Sequence, residues 1–212
     1  MAHAQQMFFV QALRSLWPSY FERTKVGEVG SLDINGSVRT FFENCDYLGY
    51  DVEHGPGVDV AQEGQLIGEP TGSLDVVISS ECFEHNPFWA ETFANMLRIC
   101  RPAGLVVLTC ATTGRPEHGT ARTTPGDSPL TVALGWDYYR NITAEDFMRA
   151  SNLPGWFQTY HFYVCPATFD LYFFGIRRGD PVADLQRNVV SLDALLSQNL
   201  GAYKVAGYFE RS

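Results

Sequence analysis

The stretch "VGEVGSLDINGS", Val26 to Ser37, decides how the chain is read. An apolar run leads into Glu28 and Gly30, as a buried strand leads into a tight turn. A dinucleotide fingerprint would place further glycines two and five residues after the first. Here Leu32 and Asp33 stand in that region, and the next glycine is Gly36. The turn has the position of a nucleotide site but not its usual glycine content, so its ligand must be argued from the surrounding residues.

Working outward, "DYLGYDV" (Asp46 to Val52) reads as a second strand that ends in a carboxylate. Asp51 follows Gly30 by about 20 positions, the spacing at which an acid after a glycine turn reaches a ribose. Glycine suits a backbone that must approach a ligand or take positive φ, and a carboxylate can accept from two ribose hydroxyls at once. The alternative is a tight turn with a solvated acid. A short third strand is expected around Val58 to Ala61. "LDVVISS" (Leu74 to Ser80) is a continuous apolar run, the mark of a strand buried on both faces. A helix is predicted from Pro87, with Trp89, Phe93, Met96, Leu97 and Cys100 at helical spacing. Pro102 and Gly104 break it before a fifth strand, Leu105 to Ala111.

Residues 4 to 21 carry a helical apolar face ended by Pro18, an N-terminal helical cap over residues 1–22. A helix is also expected near Gly36, taking in Val38, Phe41 and Phe42. Residues 112–141 are rich in Gly, Pro and Thr and show no period, which predicts a functional loop or lid over a substrate. "ITAEDFMRAS" reads as a helix capped by Thr143. "WFQTYHFYV" and "DLYFFGIRR" read as an antiparallel pair closing the sheet, and residues 191–200 as a last helix. The pattern predicts one α/β domain over residues 1–212: a doubly wound, mostly parallel, seven-stranded Rossmann-like sheet with an antiparallel last strand.

Composition bounds the partners. The net charge of −9, from 15 basic and 24 acidic residues, argues against a nucleic-acid duplex. No apolar run approaches the roughly 20 residues that cross a bilayer, so no membrane partner is expected. The 5 cysteines are odd in number and form no CxxC pair, which fits reduced thiols in a cytoplasmic protein and predicts no metal site.

Four segments together, "VGEVGSLDINGS", "YLGYDVEHGPGVDV", "GSLDVVISSECFEH" and "LRICRPAGLVVLT", resemble the class I S-adenosylmethionine-dependent methyltransferases. The likeness runs from Lys25 to Thr109 in the order and spacing of that family. It includes the "D-V-V" strand leading to "E-H", and Arg101-Pro102-Ala103-Gly104 in place of the family's basic-Pro-Gly-Gly. The resemblance implies S-adenosylmethionine as cofactor. Such a loop binds no pyrophosphate and needs fewer glycines. It implies that Glu28, Gly30, Ser31 and Gly36 form the loop around the methionine moiety. Asp51 would bind the ribose and Val52 would pack on the adenine. Glu63, beside Gly64, would accept from the adenine amino group, and Ser79 and Ser80 would face the cofactor from the fourth strand. Leu32 and Asp33 depart from the family's commonest loop.

The implied reaction is methyl transfer to a small-molecule acceptor. His85 follows the fourth strand where the transferred methyl emerges, and an imidazole there can take a proton. His118, in the long loop, is the second catalytic candidate. His161 in an aromatic strand reads as structural, and His54 as a solvated rim residue. The alternatives are a non-catalytic S-adenosylmethionine-binding protein and a nicotinamide-dependent oxidoreductase.

Overall fold

A computed structural model describes residues 4–210. Residues 1–3 of the expected cap, and 211–212 at the other end of the expected domain, lie outside the described residues. Eight strands form one sheet: β1 (Lys25–Val29), β2 (Asp46–Asp51), β3 (Val60–Ala61), β4 (Leu74–Ser80), β5 (Cys100–Ala111), β6 (Phe157–Cys165), β7 (Asp170–Arg177) and β8 (Tyr203–Phe209). Their spatial order is β3-β2-β1-β4-β5-β7-β6-β8. The first five run parallel to one another, whereas β7 lies antiparallel to β5 and β6, and β8 antiparallel to β6. The helices are α1 (Ala4–Leu16), α2 (Trp89–Ile99), α3 (Pro129–Ala133), α4 (Ala144–Ala150), α5 (Leu153–Trp156) and α6 (Leu185–Leu200).

The doubly wound, mostly parallel expectation holds, but the sheet has one strand more than expected. The β6–β7 pair does not close it, because β8 lies outside β6. Gly207 permits this pairing: a Cβ there would fall 2.4 Å from Nδ1 of His161. The expected helix near Gly36 is only a 3-10 turn over Val38–Phe41, capped by the Ser37 hydroxyl, which accepts from the Arg39 amide. Within residues 112–141 the expected irregular segment folds a short helix, α3.

Alternation along each strand divides the core between two faces. Val76 and Ile78 of β4 join Phe9, Leu13, Trp17, Tyr172 and Phe174 on the face covered by α1 and α6. Val77 joins Phe93, Met96, Phe147, Phe162 and Phe173 on the face covered by α2 and α4. The N-terminal helix is thus a face layer: Phe9 stacks on Tyr172 at 5.0 Å between ring centroids. Helix α2 buries the side predicted by its spacing, with Phe93, Met96 and Leu97 wholly inside. Arg177 on β7 donates to the Leu97 and Cys100 carbonyls at its C-terminal end. Thr143 caps α4 in a reciprocal capping box with Asp146, as the sequence predicts.

Glu28 points to the α1 face, where Tyr47 Oη donates to its Oε2 at 2.7 Å. Burial pushes its carboxyl up to about 7. The unfolded chain holds this proton only below about 4.3. The native state therefore binds the proton more tightly, and stability falls as pH rises between those values. Glu28→Gln keeps an acceptor for Tyr47. It is expected to remove this slope and to raise stability at pH 8 by up to about 3 kcal/mol. Urea melts at pH 4.5 and pH 8 measure it; equal slopes in both proteins would refute the burial argument.

Candidate functional site

The strand order reverses between β1 and β4, and the carboxyl ends of β1, β2 and β4 meet there. That is where open α/β sheets bind ligands. Past β1, the amides of Gly30 and Ser31 both donate to the Tyr50 carbonyl, at 2.8 and 3.1 Å. Gly30 has φ +78°, and a Cβ on it would lie 2.4 Å from Cβ of Cys82. A side chain there is excluded by conformation and by space.

Past β2, Asp51 is held by two backbone donors. Its Oδ2 accepts from the Leu32 amide at 3.0 Å and its Oδ1 from the Val52 amide at 2.8 Å. Burial still raises its pKa against these hydrogen bonds. Each oxygen keeps a lone pair for a further donor. Gly64 lets the next turn close on the sheet, since a Cβ there would sit 2.6 Å from Cγ2 of Thr92 and 2.9 Å from Cγ1 of Val29.

Past β4 the chain turns sharply. Glu81 takes φ +51°, a left-handed conformation that costs a non-glycine residue about 1–3 kcal/mol. Cys82 packs on Gly30, and a 3-10 turn over Phe83–His85 follows. Glu84 is wholly buried and His85 is 3% exposed. Burial, reinforced by His118, holds the His85 imidazole down at about 3, so it is neutral at physiological pH. A cavity of about 310 Å³ opens here, walled by Glu81, His85, Arg115, His118 and Asp127 among others.

The segment 112–141 forms the opposite wall. Gly119, at φ +61°, brings the loop onto His85: a Cβ there would be 2.5 Å from His85 Cε1. His118 is thereby set edge-on to His85, with ring centroids 5.0 Å apart, and Tyr139 lies against both rings. The arginines of this segment are engaged with acids: Arg115 with Asp170, Arg122 with Glu117 and Asp137, Arg140 with Asp146. Further along, Pro129, Leu130 and Thr131 of α3 lie across Gly30, Asp51 and Cys82, leaving a cavity of about 40 Å³. Trp136 helps close another of about 30 Å³ beside Val52 and Gly64.

Of the sequence-predicted residues, Gly30, Asp51, Val52, Gly64, His85 and His118 therefore converge on these cavities. Glu28, Ser31, Gly36, Glu63, Ser79 and Ser80 do not line them. Ser31 packs against Gly49, Glu63 accepts from Gln65 Nε2, and Ser79 Oγ donates to the Val29 carbonyl. Gly36 donates to the Asp33 carboxylate on the exposed loop, and Ser80 Oγ is buried without a partner. His161 is a structural residue as predicted, buried with Nε2 on Thr159 Oγ1 at 2.9 Å. Sequence reasoning missed Glu81, Glu84 and Cys82. Their signal was the spacing Glu81-x-x-Glu84-His85 immediately after a buried strand.

Residues 17–166 match a family model described as "Methyltransferase domain". A search of the curated proteins returns no match. Solved structures share the fold at low identity. One is the Burkholderia thailandensis 1,6-didemethyltoxoflavin-N1-methyltransferase with bound 1,6-didemethyltoxoflavin and S-adenosylhomocysteine: TM-score 0.56, 13% identity, covering 81% of this chain and 79% of that one. A Haemonchus contortus phosphoethanolamine N-methyltransferase 2 in complex with S-adenosyl-L-methionine gives 0.56 and 12%, covering 81% and 52%. A possible histamine N-methyltransferase from Thermotoga maritima gives 0.54 and 11%, covering 81% and 89%. These findings set aside the nicotinamide-dependent alternative. Among the described residues, no helix is long and apolar enough to cross a membrane. The chain belongs to the methyltransferase-domain family, with the fold of the class I S-adenosylmethionine-dependent enzymes.

Proposed function

We propose that the chain transfers a methyl group from S-adenosylmethionine to a small-molecule acceptor held in the 310 Å³ cavity. The observation that carries this reading is a shared wall. Glu81, His85 and Asp127 line that cavity and also the small one beside Gly30 and Asp51. An acceptor in the first would therefore stand next to a donor in the second.

The residues at the reversal point fit such a donor in kind. Asp51 offers a carboxylate to the ribose hydroxyls, Gly30 gives a close backbone approach, and Val52 offers an apolar surface to the adenine. The Ser80 hydroxyl, buried without a partner, is a further polar group near this edge. Glu28, Ser31, Gly36, Glu63 and Ser79 would shape the loops behind these contacts. The space fits only after α3 moves, because cavities of about 40 and 30 Å³ hold no ligand of that size. Segment 112–141 thus acts as a lid.

The bound cofactor supplies an electrophilic methyl on a sulfonium. Its transfer would break the carbon–sulfur bond as the bond to the acceptor forms, and an acceptor that carries a proton would lose it. The protein's part is to align the acceptor and receive that proton. An imidazole held at about 3 is a weak base. His85 therefore orients the acceptor, and His118, half-exposed at the cavity mouth, passes the proton to water.

S-adenosylhomocysteine is expected to raise the melting temperature and to change hydrogen exchange in residues 128–136 more than in β4 and β5. Asp51→Ala is expected to weaken its binding by about 1.5–3 kcal/mol, the worth of a hydrogen bond to a charged group. Calorimetric titration of both proteins decides. Unchanged affinity in folded Asp51→Ala would remove the ribose assignment, and unchanged exchange across 128–136 would remove the lid.

A further inference from the structure

Glu81 and Glu84 are costly residues that the reaction above does not use. Glu84 is 0% exposed and Glu81 is 8% exposed. Among the described residues, their four carboxylate oxygens have no partner but each other and the Glu84 amide, and Nδ1 of His85 has none. Desolvating an unpaired carboxylate is among the largest penalties in a protein interior. Here two occur side by side, one of them on a left-handed backbone. Burial pushes both carboxyls above the usual range, and the charge of Glu84 adds to this at Glu81. Either they share a proton or something positive belongs between them.

The surrounding geometry points to the second. One ligand atom from each of Glu84, His85 and His118 can be chosen so that all three lie within 4.8 Å of one another. Donors to one ion stand at most about 4.4 Å apart, twice a bond of about 2.2 Å. A small side-chain rotation closes that difference. Glu81 lines the same cavity as both imidazoles, and Glu117 and Asp127 add further acids to its wall. The cavity's one arginine, Arg115, is turned to the Asp170 carboxylate at 3.3 Å and the Thr168 carbonyl at 2.6 Å.

We propose that Glu84, His85 and His118 bind a divalent first-row transition-metal ion on the wall of the acceptor cavity, with Glu81 beside them as a further negative charge. Imidazole with carboxylate selects ions such as Zn²⁺, Mn²⁺ or Co²⁺ over Mg²⁺ and Ca²⁺, which favour oxygen alone. Three protein ligands leave a position open toward the cavity, as in metal sites that engage a substrate. A ligand there completes several local features. The ion satisfies the Glu84 carboxylate and offsets the charge of Glu81 beside it. Gly119 brings His118 within reach. The site adjoins the cofactor residues through His85, and with the ion bound His118 is its ligand while the acceptor's proton leaves directly to water.

The test uses the full chain without a histidine tag, treated with chelator and then dialysed, with neither cofactor nor acceptor present. Titration with Co²⁺ is expected to give one equivalent of visible d–d absorption, and calorimetry with Zn²⁺ one site. His118→Ala and Glu84→Gln are each expected to weaken binding at least about tenfold. Glu117→Gln, which removes a neighbouring charge but no ligand, is expected to leave it within about twofold. Glu84→Gln must fold for its result to count. His118→Ala, altered at a half-exposed position, decides alone if it does not. The proposal is overturned by no stoichiometric Co²⁺ or Zn²⁺ binding, or by binding indifferent to His118→Ala. Cofactor titrations on the same samples report the methyl-transfer reading separately.

Discussion

Replacing His118 with alanine is expected to lower kcat by about 10²- to 10⁴-fold, the usual contribution of a positioned acid–base group. S-adenosylhomocysteine affinity should stay within about threefold, because His118 does not border the cavities beside Gly30 and Asp51. The pH–rate profile and a chelator then separate two roles for one imidazole. A nitrogen bound to a cation has no lone pair for a proton. If His118 is a ligand, chelation costs the wild type about as much as the substitution does. If it passes the proton, chelation changes nothing, and the loss shrinks at high pH as the acceptor ionises in solution. A loss below tenfold at every pH would leave catalysis to proximity alone.

The second large effect is on stability. Phe147→Ala is expected to cost about 3–5 kcal/mol, as for a large side chain removed from a full core. Phe147 is wholly buried on α4. Its ring meets Phe93 at 5.0 Å, Trp89 at 5.3 Å, and both Phe83 and Phe162 at 5.8 Å. Phe83 belongs to the turn that carries Glu84 and His85. The cavity left behind therefore lies beneath the candidate site, and activity should fall at temperatures where the protein remains folded. Urea melts and rates taken well below the transition measure both. A destabilisation under about 1 kcal/mol would mean that the aromatic cluster repacks.

The parallel half of the fold was legible because its strands are buried on both faces. Val76, Val77 and Ile78 alternate between two cores, as the pleat of a strand buried on both faces requires. The edge was harder to read. None of the seven β8 residues is buried, and Gly207 sits within the strand, so it exists through pairing with β6 rather than through its own composition. The same division holds at the site. Gly30 and Asp51 stand at strand ends, whose place follows from topology. Glu63 and Ser31 sit in loops, where one further bend turned the side chain from the cavity to Gln65 or Gly49. Glu84 looked like an ordinary acid next to a histidine. Only three dimensions bring His118, far along the chain, to its side.

The position of α3 has a consequence for the sequence of events in turnover. Asp127 walls both the acceptor cavity and the cavity over Asp51, and Ser128 to Thr131 continue directly from it. One segment thus closes two compartments. A molecule in either one biases the same movement, so occupancy of the first changes affinity for the second, and the reverse by the same factor. On the proposed reading, the two ligands would arrive in a preferred order: the donor first, while the segment stands open, and the acceptor afterwards. On the same reading, the demethylated by-product would leave last, and a rate that follows solvent viscosity would mark lifting of that segment as the slow step.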